Sequence, residues 1–283
     1  MMRTTFLSSA ILLFVLGVLS PALADDPTAD QILSRHLNSI ATDAKRKELK
    51  TMLVGGLSIF ESRNPDLKGV GKAVVVSDPN DLYFLMSFNS HDYPYEKIGA
   101  FGSKIAVPFT MAGNQRSLLG AFMHEHNKVL TSDLFCGSMS LRWITGLLTN
   151  KDVSFKTLGK RKLDGHDTYA VEAIIKGYGS DDFSIKLFFD TENYHHVRTE
   201  YVREVSTGNV TMGVQNNQGS SRLQLTEEFT DFREDLGFTL PHVYKVSFAS
   251  NTMNTTTSWS IKVSNYYPNQ PLAPDFFTFD AKP

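Results

Sequence analysis

One cysteine in 283 residues leaves no partner for an intramolecular disulfide, so this chain must be held together by buried apolar surface. A chain of this length can bury enough. Cys136 lies in the apolar run Leu134-Phe135-Cys136-Gly137 with no basic neighbour, which predicts an inert buried thiol rather than a nucleophile. Charge of one sign is also lacking: 28 Lys plus Arg stand against 30 Asp plus Glu, a formal net charge of -2, which argues against nucleic acid as a partner. Beyond residue 24 no apolar run approaches the roughly 20 residues of a membrane-crossing helix. No repeat period and no composition break divides the rest.

The catalytic signatures are missing too. G-x-S-x-G is absent, with Gly137-Ser138-Met139-Ser140-Leu141 failing at Met139 as well as at the last glycine, and neither S-x-x-K nor H-E-x-x-H occurs. Gly69-Val70-Gly71-Lys72 has Ala73 where a phosphate loop needs Ser or Thr. His124-Glu125-His126 and His195-His196 have spacings that point their rings apart on a helix end and on a strand, so they read as ordinary surface histidines, with no metal expected. Asp181-Asp182 and Glu227-Glu228 read as solvated charge, the first in a turn and the second split across two faces. Asn209 and Asn254 head glycosylation sequons, relevant only in a eukaryotic host. No cofactor and no enzymatic activity are expected.

What is present begins with a secretory signal peptide: Arg3, an apolar stretch from Ala10 to Leu19, and Ala22-Leu23-Ala24 as the cleavage site. The expected cut after Ala24 leaves residues 25–283 as a single domain in the periplasm or secreted. The residue directly after the cut is Asp25, not a cysteine, so no lipoprotein-type anchor is expected. A capping box, Thr28-x-x-Gln31, opens a helix whose apolar stripe is Ile32, Leu33, Leu37 and Ile40. Asp43 to Lys50 reads as a solvated helix end or link.

From Thr51 the period becomes two. Leu53–Glu61, Val70–Val76, Leu82–Asn89, Tyr95–Phe101, Val153–Leu158, Tyr169–Lys176, Phe183–Asp190 and Tyr194–Val205 are strand-like, and so are three stretches between Arg222 and Val263. Tight links such as Asp164-Gly165 predict antiparallel hairpins. Tyr83 and Leu85 oppose Phe84 and Met86, so that strand is expected to be covered on both faces at one end. The aromatic tail Phe276, Phe277 and Phe279 must itself cover something apolar. Gln115–His126 and Ser138–Leu148 look helical, with Leu141, Ile144 and Leu148 as the stripe of the second. Thr207–Ser221 is rich in Gly, Asn, Gln and Ser and reads as a mobile loop. The fold class expected is mainly β (α+β): an incomplete, strongly curved antiparallel barrel of about ten or eleven strands wrapped around helices that form a plug or lid.

The signal peptide and leading helix, Leu187-Phe188-Phe189-Asp190 with Val197-Arg198-Thr199-Glu200-Tyr201, Phe238-Thr239-Leu240-Pro241-His242, and Asn269-Gln270-Pro271-Leu272 before Phe276 and Phe277 resemble the outer-membrane lipoprotein-sorting (LolA/LolB-like) superfamily. The resemblance implies an open half-barrel whose concave apolar face accepts acyl chains of a lipid or lipoprotein. Its alternative is an envelope sensor that contacts a partner protein without transporting lipid. The carrier's gating arginine has no definite counterpart here. The expected lining is Phe84, Met86, Phe88, Leu187, Phe189, Tyr244, Val246, Trp259 and Ile261, with Met111, Met123 and Met139 as an adaptable lid.

Overall fold

A computed structural model describes residues 26–63, 66–178, 182–205, 221–253, 255–273 and 275–277. The expected signal peptide, most of the expected mobile loop, both sequon asparagines and Phe279 lie outside the described residues.

The twelve strands among the described residues belong to one antiparallel sheet. They are β1 (Met52–Arg63), β2 (Leu67–Ser77), β3 (Asp81–Ser87), β4 (Tyr95–Phe101), β5 (Lys104–Ala106), β6 (Val153–Leu163), β7 (His166–Ile175), β8 (Phe183–Asp190), β9 (His196–Val205), β10 (Ser221–Asp235), β11 (Phe238–Ser250) and β12 (Thr255–Pro268). Their order, β5-β4-β3-β2-β1-β12-β11-β10-β9-β8-β7-β6, makes every neighbour a sequence neighbour except β1 and β12. The sheet is therefore two meanders joined by their outer strands.

Edge strands β5 and β6 are consecutive in the chain, so the segment between them, residues 107–152, must pass from one edge of the sheet to the other. It does so across the concave side. This segment carries α3 (Leu118–Glu125), α4 (Lys128–Thr131), a 3-10 turn at Gly137–Met139 and α5 (Leu141–Gly146). The preceding helices are α1 (Ala29–Ile40) and α2 (Asp43–Lys47). Curvature follows from what the helices touch. α1 packs against both β11 and β6, with four strands between those two in the sheet. Phe84 of β3 and Tyr244 of β11 face each other across the hollow with ring centroids 6.4 Å apart. The sheet is open and curls around its own helices.

The capping box forms as expected: Gln31 N–H donates to Thr28 Oγ1 at 3.3 Å and Thr28 N–H to Gln31 Oε1 at 3.0 Å. At the other end of α1 the solvated link is corrected in part. Asp43–Lys47 is a helical turn, and its Arg46 is buried with its guanidinium donating to Leu37 O at 2.7 Å and to Ala41 O. Leu37 O also accepts from Ala41 N–H at 3.3 Å, so the cation adds a second donor there and reinforces the C-terminal cap. The α5 stripe also needs correction: the helix ends at Gly146, so Leu141 and Ile144 are buried but Leu148 is exposed.

Asp164 (φ 50°) and Gly165 (φ 88°) form the tight β6–β7 turn in the left-handed backbone that Asp-Gly tolerates. The tail covers the outer face of β3 and β4, where Phe276 meets Tyr83 at 5.7 Å and Phe277 meets Phe101 at 6.1 Å. Both faces of β3 are thereby covered, as its unusual pattern predicted.

Candidate ligand-binding site

The row of residues expected to line the hollow does point inward, and the chain's own helices meet most of it. Phe84, Met86, Leu187, Phe189, Tyr244, Val246, Trp259 and Ile261 are buried at 0–1% exposure, and Phe88 is buried as well. Met123 and Met139 are fully buried among them, whereas Met111 is half-buried at a rim. Phe135, from the segment between α4 and the 3-10 turn, packs against Phe84 at 5.4 Å. Phe122 of α3 reaches Phe183, Tyr201 and Phe248. The helices form a packed plug in the centre of the hollow.

Two buried carboxyls fasten that plug, and the reading of Glu227 as solvated charge is corrected by one of them. Glu227 is in phase with Leu225 and Phe229 on β10, so it points inward and is fully buried. Its Oε1 accepts from Cys136 N–H (2.8 Å) and the Tyr244 hydroxyl (2.6 Å), and its Oε2 from the Tyr201 hydroxyl (2.7 Å). Glu228 faces the other side and bonds Arg198 at 2.7 Å. Burial outweighs the three donors and pushes the Glu227 carboxyl up to about 7. Cys136 is buried as expected, and burial beside this carboxyl holds its thiol well above the ordinary range. The backbone there is left-handed at Cys136 (φ 70°) and Gly137 (φ 45°), and a Cβ on Gly137 would lie 2.7 Å from the Phe229 ring and 2.9 Å from His196. Only glycine lets the plug approach the wall so closely.

The histidines need correction as well. His126 and His196 are buried, not surface residues. His196 stacks on Trp143 at 4.6 Å, while its Nε2 meets Arg198 O at 3.0 Å. His36, on the buried stripe of α1, accepts from Trp143 Nε1–H at 2.9 Å through Nε2, so its Nδ1 carries the proton toward Tyr194 O at 3.0 Å. Both ring nitrogens are matched in the neutral form, and burial lowers His36 to about 3 and His126 to about 4. Among the described residues no cluster of His, Cys, Asp or Glu could hold a metal ion.

Open space remains at the end of the hollow formed by the β1–β2 and β11–β12 turns. A cavity of about 360 Å³ lies there. Phe60 and Ser62 of β1 and Thr255, Thr257 and Trp259 of β12 give it two adjoining walls, and Leu67 and Met253 form its exposed lip. The plug supplies Met111, Ser117 and Leu118, and Tyr93 comes from the β3–β4 loop. The floor is aromatic: Phe60 contacts Tyr93 at 4.7 Å and Trp259 at 5.8 Å, and Phe88 lies beneath Tyr93 at 4.9 Å. Of the expected lining and lid residues, Trp259 and Met111 face this cavity directly.

The polar end of the site is a relay. Trp259 Nε1–H donates to the Tyr93 hydroxyl at 2.7 Å, and Tyr93 and Ser117 both donate to Glu96 Oε2. Ser117 also accepts from Gly120 N–H at 2.8 Å, capping α3. Glu96 is fully buried and its Oε1 has no hydrogen-bond partner among the described residues. Burial outweighs the two hydroxyls and pushes its carboxyl up to about 7.

A curved open sheet, an inner plug of helices and an apolar mouth at one end can now be set beside known structures. A LolA superfamily protein from Nitrosomonas europaea superposes with a TM-score of 0.50 at 16% identity, covering 90% of this chain and 99% of that one. The fold is LolA-like. A DUF1329 family protein from Desulfovibrio piger aligns over 89% of this chain and 98% of its own at 12% identity and a TM-score of 0.48. No family model and no curated protein matches the sequence.

In this LolA-like half-barrel, several site residues escaped sequence reasoning. Glu96 alternates in phase with Ile98 and Ala100 on β4, and Phe60 with Ser58 and Ser62 on β1, so phase was a usable signal for both. Tyr93 and Ser117 lie outside the strands, where no period marks the direction of a side chain. Among the described residues no helix is long and apolar enough to cross a membrane.

Proposed function

We propose that this protein binds the apolar part of a lipid or of a lipoprotein acyl chain at the mouth of its half-barrel, and acts as a hydrophobic-ligand carrier outside the cytosol rather than as an enzyme. The observation that carries this reading is the cavity beside Phe60, Leu118 and Trp259, which is lined mainly by apolar surface and opens past Leu67 and Met253. Its 360 Å³ lies within the range of small-ligand sites, about 300–1,000 Å³. At about 30 Å³ each, the share of one liquid water, about twelve methylenes would fit. Each contributes about 0.8 kcal/mol on burial, so even partial filling would give measurable affinity. Phe84, Met86, Leu187, Phe189, Tyr244, Val246 and Ile261 would join the lining only if the plug moved aside. Met111 is the lid methionine already at the opening.

Native mass spectrometry of protein purified without detergent tests this reading. Co-purified acyl lipid that is lost from Leu67→Glu, with the unfolding midpoint unchanged, supports the carrier. A second reading, an envelope regulatory module, is favoured by one observation: the middle of the hollow is already filled by the plug. Lipid-free protein that captures a single envelope partner would favour that reading and count against the carrier.

A further inference from the structure

The cavity carries a charge preference. Among the described residues that line it none is Lys, Arg or His, so none of them neutralises an anion. On the plug side the hydroxyl protons of Tyr93 and Ser117 are both directed at Glu96 Oε2, away from any ligand. Tyr93 already accepts from Trp259 and Ser117 from Gly120 N–H, which leaves each oxygen one lone pair and no proton to offer. Behind them Glu96 Oε1 is buried without a partner among the described residues, so the plug side of the wall is acceptor-rich and backed by a carboxyl; on the strand side Thr255 donates to Arg63 O, and Ser62 and Thr257 share one hydrogen bond, which leaves a single hydroxyl proton there. Glu96 also occupies the place beside the α3 cap where a helix start would otherwise favour an incoming anion.

We propose that this site selects single-chain amphiphiles whose head is cationic or an uncharged hydrogen-bond donor and disfavours anionic heads, with Glu96 as the specificity-determining residue. This rests on the binding reading above. An ammonium, hydroxyl or amide N–H near Tyr93 and Ser117 meets free lone pairs. A carboxylate in the same place meets lone pairs and a like charge in a poorly solvated pocket, where the repulsion is only weakly screened. Burial raises the Glu96 carboxyl to about 7, so a test at about pH 8 finds it mostly ionised.

The experiment is displacement of the fluorescent apolar reporter N-phenyl-1-naphthylamine from detergent-free protein by dodecylamine, dodecanol or dodecanoate, at physiological ionic strength. Dodecanoate is expected to need at least about tenfold more ligand than dodecylamine for half-displacement, with dodecanol close to the amine. In Glu96→Gln the gap between amine and carboxylate should narrow to about threefold or less. Equal displacement by dodecanoate and dodecylamine in the wild-type protein overturns the proposal, as does an unchanged gap in a folded Glu96→Gln. The wild-type comparison decides even if the variant does not fold. A reporter that never binds, or that none of the three displaces, refutes the binding reading and this inference with it.

Discussion

Replacing Glu227 by Gln should remove one component of the protein's pH-dependent stability while keeping the shape of the plug's anchor. Glu227 has an ordinary value of 4.5 and is raised to about 7 in the fold, chiefly by burial. The folded protein therefore holds its proton more tightly than the unfolded chain does. The stability this confers is complete below about pH 4.5 and is lost as pH rises through about 7. The rise from 4.5 to about 7 corresponds to about 3 kcal/mol, of which between about 2 and 3 kcal/mol falls between pH 5 and 8. Glu96 acts in the same direction, because burial raises it to about 7 as well.

The buried histidines work the other way. His36 and His126 lie below the ordinary 6.5, at about 3 and about 4, and His196 is also held well below it by burial and by His36. The unfolded chain takes up their protons as pH falls below 6.5, so stability is lost on the acid side. The wild-type profile is thus a dome, and its absolute slope identifies no single group. The difference between wild type and Glu227→Gln isolates the carboxyl. Urea unfolding followed by the fluorescence of Trp143 and Trp259, both fully buried, measures it at each pH. The variant's stability relative to wild type should rise by between about 2 and 3 kcal/mol from pH 5 to pH 8. A difference that stays flat across this window would refute the assignment of Glu227 as a buried, proton-holding anchor.

Other variants probe the plug, the helix start and one turn. Arg142 pairs with Asp133 at 2.5 Å inside the plug and donates to Leu130 O at 2.9 Å; Arg142→Ala leaves Asp133 largely buried without its cation and should lower the stability read from urea unfolding by about 3–5 kcal/mol. Thr28→Ala removes one half of the capping box and should cost about 1 kcal/mol in the same assay. Gly165→Ala places a side chain at φ 88° and should cost about 1–2 kcal/mol, whereas Asp164→Gly should be tolerated.

The parts of this fold that were legible are those where period speaks. Tyr95–Phe101 and Phe183–Asp190 have the bounds their alternation implied, since each is a run of inward apolar residues between turn formers. β10 and β11 extend further than the pattern suggested. Past Phe229 the strand turns polar and is interrupted at Asp231 (φ 56°), and Pro241 breaks the alternation of β11 while still lying within it. β5, three residues long, offers no period to read. The buried acids were half legible. Glu227 lies in the apolar phase of its strand, but a composition-minded reading assigns any Glu pair to solvent, and its three donors come from Cys136, Tyr201 and Tyr244, far away in sequence. His196 was misread for the same reason: its partners are Trp143 and Phe229, which only the fold brings close. Phase tells which side a residue faces, and nothing in one sequence tells how much of that side the plug covers.

The location of the remaining space follows from strand lengths. β1, β2, β11 and β12 run 12, 11, 13 and 14 residues, whereas β3 and β4 run only 7 each. At about 3.3 Å per residue the long group can outreach the short one by about 13–23 Å. The plug is tied to the short side through Glu96 and Ser117 and to β10 through Glu227 and Cys136, so it cannot follow the long hairpins to their tips. Their inward residues near the tips, Phe60, Ser62, Thr255, Thr257 and Trp259, meet only Met111, Ser117 and Leu118 of the plug across the cavity. A half-barrel with strands of equal length and the same plug would close this space with its own core. The unequal hairpins are thus what turns a filled scaffold into one with a mouth.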